Sequence, residues 1–598
     1  MYKANKRHMQ SLLLSNINDL PEKKRQRLQG SWAEDFYRDF FCRIQEDTFA
    51  VLYVDHPSRP NVPINWLVGL ETLKSGFGWS DEELYDHFCF DLQVRYALGI
   101  HDLNESDFDL RTLYYFRERL SCYNLEHGVN LLTKAFENIT DQQLIILKVK
   151  TGKQRTPALA AGASVDSTQI ASNILSMSRL QLLVEAVQRM YRSLSEADQQ
   201  HYAKTFAPYL QGHSGQYVYR IKGQEATAEH LQTIGELIDF LQEELRETYG
   251  QVPAYHVLQR LFDNNFRLEN QVVLTKTNQE LEAGCLQSVD DLEATYRKKG
   301  PRAYKGYVAN LSETCDPENE LQLTPALAAS ASVTKIQVSP NNVNDNDLLL
   351  EALPDLKART GLDTLYTDGA FAGPTVDPVL QEHEVEQIQT GISGRPPNSQ
   401  KLNLADFVVD RNEKAVPQQI TCPQGQTAAV ELSSLKSGYR ADFNPSRCKT
   451  CPFHLEGRCP ARLGKKRASF RLTFLPSQVG VAQRRRKLRL SKQDGKNPRA
   501  AIEGTIREVK HPFPAGKLPV RGLFRITCLM VGSAALTNVR RIHHFWDEKR
   551  KDERRKMAIE RAAKVVPEQS GVSFTSFLKS ILISQRSSIA LSNACFGC

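Results

Sequence analysis

Apolar residues recur three and four positions apart in the first quarter of the chain: Phe36, Phe40 and Phe41, then Leu67, Leu70 and Leu73, then Leu113, Phe116 and Leu120. That spacing puts each set on one face of a helix, so residues 32–147 are expected to be all-helical. Pro60-Asn61-Val62-Pro63 interrupts the pattern, and Ser80-Asp81-Glu82-Glu83 opens a new helix with a hydroxyl cap and an acidic first turn. Residues 151–163, rich in Thr, Pro, Ala and Gly, read as a linker. Residues 163–166 then read as a strand end, although Asp166 would also suit the cap of a helix starting near Thr168. From about 170 to 280 the helical period returns as an inserted block.

Strand-like segments follow at 306–310, 333–338 and 362–366, with a helix expected from Asp345 to Ala358 between the last two. This order is that of an α/β layer whose strand ends present loops for chemistry, and Asp368 sits at such an end. The Asp368-Gly369 pair is also a good turn. From 391 to 499 the composition shifts to Pro, Gly, Cys and basic residues, which reads as a separately folded insertion. A helix is expected at 499–510 with Ile502, Ile506 and Val509 on one side, then a buried helix at 522–540 and a solvated, charged helix at 546–564. The implied division is a helical domain at 1–150, a core at 160–390 plus 498–545 with a helical insertion at about 170–300, a Cys-rich basic insertion at 391–497, and a charged tail at 546–598.

A chain of 598 residues exceeds what one hydrophobic core supports, so about three to four packed units are expected. With 41% hydrophobic and 24% charged residues, wholesale disorder is excluded. The net charge of +8 suits a polyanionic partner without proving one. The N-terminus lacks the apolar core of a signal peptide, and the least polar run, 526–536, is too short for a bilayer, so a cytoplasmic protein without a membrane segment is expected. Most of the 12 cysteines are scattered, as reduced thiols would be. No G-x-x-x-x-G-K-[ST] phosphate loop and no H-E-x-x-H pair occurs, which argues against ATP dependence and zinc proteolysis.

Three carboxylates stand in suggestive surroundings: Asp166 in Val-Asp-Ser-Thr-Gln, Asp368 in Tyr-Thr-Asp-Gly-Ala-Phe, and Glu503 in Arg-Ala-Ala-Ile-Glu-Gly. Phosphodiester cleavage and transfer are served by divalent metal ions that activate the attacking oxygen and stabilise the leaving one, and Mg²⁺ prefers such oxygen ligands. Taken singly, each acid is as well explained by a solvated surface position or a helix cap.

Together these segments resemble those of DDE transposases of bacterial insertion sequences. In the group with a Y-R-E-K signature, two, three and six residues separate the motif positions, and Arg499, Glu503 and Lys510 reproduce the last two gaps; Lys496 stands at the tyrosine position. Similar segments are Lys305-Gly306-Tyr307, residues 339–345, Val520-Arg521-Gly522, Thr537-Asn538-Val539-Arg540-Arg541 and, in the helical region, Phe116-Arg117-Glu118-Arg119-Leu120.

The resemblance implies an RNase H-like α/β core, Mg²⁺ or Mn²⁺ held by Asp166, Asp368 and Glu503, and phosphate held by Arg499 and Lys510. It implies that double-stranded DNA, as element ends and target, is nicked and joined by a homo-oligomer, which would associate with the nucleoid when bound. An inactive DNA-binding derivative and a stand-alone nuclease remain alternatives.

Cys422, Cys448, Cys451 and Cys459 lie in the insertion and include one C-x₂-C pair. Four thiolates suit tetrahedral Zn²⁺ in a zinc-ribbon-like unit, with His454 as a substitute ligand; reduced, partly buried thiols are the alternative. Arg484, Arg485, Arg486, Lys487, Arg489 and Lys492 form a run dense enough to contact several phosphates, and a solvated charge run is its plain alternative.

Overall fold

The computed structural model of the chain describes residues 1–10, 15–54, 60–102, 108–150, 162–315, 331–392, 396–412, 416–433, 438–464, 469–493 and 500–565. The expected N-terminal helices are present, among them Trp32–Asp39, Ile64–Phe77, Asp81–Phe90, Leu110–His127 and Leu131–Lys150. Ser80 accepts from the Glu83 N–H at 3.1 Å while the Glu83 carboxylate accepts from the Ser80 N–H at 2.7 Å, which closes the capping box. Phe36, Leu67, Leu70, Leu113, Phe116 and Leu120 are buried, but not in a core of their own: they belong to one cluster with Ile170, Tyr307 and Leu311 of the sheet and with Met530, Leu536 and Val539 near the C-terminus.

That sheet contains β1 (Gly162–Ala171), β4 (Thr295–Lys299), β5 (Arg302–Cys315), β6 (Val333–Pro340), β7 (Thr364–Thr367) and β8 (Glu386–Gln389). Its order is β4-β5-β1-β7-β8, with β6 also paired to β5. β5 is antiparallel to β1, β4 and β6, whereas β7 is parallel to both β1 and β8. The long β5 can lie flush on β1 because Gly306 sits at φ +137 against the Ile170 carbonyl, where any side chain would collide.

The helical insertion starts later than the sequence suggests, because β1 continues to Ala171. It comprises helices from Arg179–Ser193 to Pro253–Asn265 around their own apolar cluster. A hairpin of β2 (Phe266–Glu269) and β3 (Val272–Thr275), unforeseen in the helical reading, closes it. The helix Asp345–Thr360 covers one face of the main sheet, where Ala163, Val165 and Leu365 meet Leu349, Leu353 and Leu356.

The Cys-rich stretch is larger than a ribbon. It forms a second, antiparallel sheet of six strands, β9 (Val408–Arg411), β10 (Pro417–Thr421), β11 (Thr427–Leu432), β12 (Tyr439–Phe443), β13 (Arg462–Leu463) and β14 (Phe470–Phe474). The basic helix Pro476–Gln493 follows, then the helix Ala500–Lys510 and the long helix Leu523–Val565.

Two residues seat the long helix. Gly76 lets it cross Ile64–Phe77 where a methyl group would strike Leu536, and Asn538 donates to the Val333 carbonyl at 2.9 Å while accepting from the Val333 N–H at 2.8 Å. The compact units are Met1–His543 and His544–Cys598; within the second, residues 551–560 are exposed and mostly charged, with Lys551 bridging Asp547 and Glu548 at 2.9 Å each. No helix among the described residues is long and apolar enough to cross a membrane.

Candidate active site

Side chains alternate across a strand, so the partners of β1 divide into two sets. Ala163 and Val165 enter the core beneath the helix Asp345–Thr360, leaving Ser164, Asp166 and Thr168 on the other face. Asp166 is therefore mid-strand, opposite Leu311 of β5, rather than at the strand end or on a helix cap as its short motif suggests. It is 8% exposed, and its carboxylate accepts from the Ser167 N–H at 2.9 Å.

The parallel ladder between β1 and β7 pairs Ala163 with Leu365 and Ser164 with Tyr366. Asp166 and Asp368 each lie two residues beyond the last paired positions, so the same register, continued, would bring the two acids towards each other. Asp368 lies just past the end of β7, where it caps the short turn Gly369–Phe371 by accepting from the Ala370 N–H at 2.8 Å. The cap is compatible with a second role, since a carboxylate has several acceptor sites.

Glu503 comes from the helix that covers this face. Ile502, Thr505 and Val509 are buried, while Glu503 is exposed. On one flank Thr505 donates to Glu313 of β5, which is paired with Ser164; on the other flank Lys510 donates to Thr168 Oγ1 at 3.1 Å and to the Gln169 carbonyl at 2.9 Å. Glu503 and Lys510 are seven positions apart and share a flank. Glu503 thus lies on the flank of its helix that Lys510 fastens to β1.

Among the described residues, no three His, Cys, Asp or Glu side chains gather tightly enough to grip an ion as they stand. Asp166, Asp368 and Glu503 therefore do not form a closed cage. The donor chemistry nevertheless fits a hard divalent cation, with three carboxylates and no sulfur.

Lys510 differs from the expectation in being half-buried and committed to β1, and burial lowers its ammonium pKa. It holds the Glu503 helix against the strand that carries Asp166. Behind it lies a group that sequence reading missed: Glu313, 1% exposed, accepts from Thr505 and from Arg541 Nη1 at 3.2 Å. Arg541 also donates to Glu508 at 3.0 Å and to the Ala331 carbonyl at 3.0 Å. Burial pushes the Glu313 carboxyl up, and Arg541 opposes it. The sequence signal for this network is the pair Arg540-Arg541 shortly after the apolar run 526–536. Arg499 lies outside the described residues, as do Lys496 and the Lys492 side chain.

The basic run is largely spoken for. Arg484 binds Asp377 at 2.9 Å, Lys487 binds Glu386 of β8 at 2.7 Å, and Arg489 pairs with Asp406. These pairs fasten the basic helix to the edge of the main sheet and to the turn before β9. Arg485 and Arg486 have no such acid partner among the described residues. The four cysteines are unbridged, and Cys422, Cys448 and Cys459 pack on the core of the second sheet. Burial, together with Cys459, Cys422 and Cys451, pushes the Cys448 thiol up to about 11, but among the described residues the cysteines do not gather as a ready-made metal site.

No curated protein and no solved structure matches the chain. Residues 421–543 match a family model described as a transposase DDE domain. The matched stretch holds the four cysteines, the basic run, Glu503, Lys510 and Arg541, and ends where the first compact unit ends; it contains neither Asp166 nor Asp368. Over those residues the chain is similar to a transposase DDE domain.

Proposed function

We propose that the chain is a DDE transposase of an insertion sequence, which nicks DNA at element ends and joins the freed 3′-hydroxyl to target DNA. The observation that supports this most directly is the parallel pairing of β1 with β7, whose register, continued two residues, would bring Asp166 towards Asp368, with the Glu503 helix fastened to β1 through Lys510. Those three carboxylates would hold Mg²⁺ or Mn²⁺, and the bound metal supplies activation of the attacking oxygen and stabilisation of the leaving one. Asp166 and Asp368 are fixed by backbone N–H donors, so little ordering is needed when the site forms. Lys510 keeps the helix in register, and Arg499, Arg485 and Arg486 are assigned to DNA phosphates.

In the same reading Cys422, Cys448, Cys451 and Cys459 bind a structural Zn²⁺ in the second sheet. The N-terminal helices recognise element ends, and the active form is a homo-oligomer on paired ends. The test is a cleavage and strand-transfer assay with Mg²⁺ on DNA bearing the repeats that flank the gene, comparing wild type with Asp166→Asn, Asp368→Asn and Glu503→Gln. Each variant is expected to lose both reactions while retaining DNA binding. Full activity in any of them removes that residue from the assignment, and cleavage without joining in the wild type favours a nuclease.

A further inference from the structure

β4 and the first residues of β5 form a hairpin that extends past Ala171, the last residue of β1. Its tip reads Lys298-Lys299-Gly300-Pro301-Arg302, all exposed, with Gly300 at φ +60 in the turn. Lys299 stands directly opposite Arg302, and Lys298 projects on the other face opposite Ala303. Like charges facing each other across an antiparallel pair repel, which costs stability unless an anion intervenes.

No carboxylate of the described chain does so. Lower in the hairpin the cations are engaged: Arg297 donates to the Val343 carbonyl at 3.2 Å and lies 3.6 Å from Asp345, and Lys305 donates to the Met177 carbonyl at 2.9 Å. No such contact exists for Lys298, Lys299 or Arg302 among the described residues. Folding therefore concentrates three uncompensated positive charges on a narrow two-stranded tip.

The position of the tip relative to the acids gives this charge a use. Leu311 of β5 lies opposite Asp166, and Arg302 is nine residues away along the same strand. At about 3.3 Å per residue that is roughly 30 Å, in the direction of the strand ends that present Asp368. Roughly 30 Å corresponds to about nine base pairs of B-form DNA. A two-stranded ribbon is narrow enough for the major groove, and cations on both of its faces would meet phosphates on both walls.

We propose that Lys298, Lys299 and Arg302 form a phosphate-gripping ribbon that holds double-stranded DNA about nine base pairs from the phosphodiester at Asp166. This rests on the reading of the chain as a DNA-processing enzyme. The contact is to the backbone and independent of base sequence.

The test measures binding of the full chain to a fluorescent duplex of arbitrary sequence, about 40 base pairs long, over a series of salt concentrations. Wild type is compared with Lys298→Ala/Lys299→Ala/Arg302→Ala and with the milder Lys299→Gln. Each neutralised phosphate contact contributes about 0.9 to the slope of log affinity against log salt, so the triple variant should be shallower by about 2 to 3 and the single by about 1. Thermal stability should be unchanged or higher, because a repulsion is removed. A wild-type slope in the variants overturns the ribbon alone. Absence of salt-dependent duplex binding by the wild type overturns the DNA reading with it. If the triple variant does not fold, the single one decides.

Discussion

Replacing Arg541 with Met tests whether the buried Glu313–Arg541 pair holds the Glu503 helix in place. Glu313 is 1% exposed, and its visible partners are Thr505 and Arg541. Removing the cation leaves a carboxylate in the core beside a single hydroxyl. Breaking a buried pair from one side costs about 3–5 kcal/mol, more than the pair contributes relative to a neutral replacement. The chain is too large for two-state unfolding, so the readout should be local: amide exchange of the helix Ala500–Lys510 and of β6, resolved by mass spectrometry. At about 1.4 kcal/mol per tenfold, protection there should fall by about two to four orders of magnitude.

The pH dependence supplies an independent check. Burial already raises the Glu313 pKa in the fold, so its contribution is most favourable below the unfolded glutamate value and is lost as pH rises through the folded one. Without Arg541 the folded pKa rises further. The deficit of Arg541→Met should therefore shrink on going from about pH 7.5 towards about pH 5. Adding Glu313→Gln to Arg541→Met should restore part of the protection. A deficit that is constant with pH, or a double variant that loses the full sum of the single losses, would refute the reasoning.

Asn538→Ala removes both bonds to Val333 and strands a buried N–H and carbonyl, so a loss of about 2–4 kcal/mol is expected, read as a lower thermal midpoint and faster exchange in β6. Burial raises the pKa of Asp81, but Arg117 and Lys74 outweigh it and hold the group at about 2. Its stabilisation, about 2 kcal/mol, is present above the unfolded value of 3.8 and lost as pH falls through about 2. The melting gap between wild type and Asp81→Asn should accordingly close over that window, and a gap that persists at about pH 2 would contradict it. Metal analysis should find about one zinc per chain, and stripping it with chelator should expose the second sheet to protease; zinc-free protein with an intact sheet removes the cysteine assignment.

The helical N-terminal region, the strands at 306–310 and 333–338 and the helix at 345 were legible because apolar spacing alone distinguishes those elements. β1 was not. One face carries Ser164, Asp166 and Thr168, and on the other the apolar Ala163 and Val165 give way to Ser167 and Gln169, so no sustained alternation of apolar residues marks the strand. The sheet at 408–474 was hidden for a related reason: its core is small, and short strands separated by Gly and Pro resemble loops. Asp166 and Asp368 were readable as acids near strand ends, but the parallel pairing of β1 with β7 that relates them spans about two hundred intervening residues, which no local pattern encodes.

Charge reads differently along the sequence and in the fold, for one physical reason. The run at 484–489 draws the eye by density, yet three of its cations meet Asp377, Glu386 and Asp406, which lie 83 to 107 positions away in sequence. Lys298, Lys299 and Arg302 are fewer and interrupted by Gly-Pro, and they pass unnoticed. Counterion release on DNA depends on charges that remain uncompensated after folding, because a cation already paired with a carboxylate must break that pair before it neutralises a phosphate. By that criterion the short hairpin outranks the long run. Neutralising Arg484, Lys487 and Arg489 should loosen the seat of the second sheet more than it changes the salt slope, whereas neutralising the hairpin tip should do the reverse.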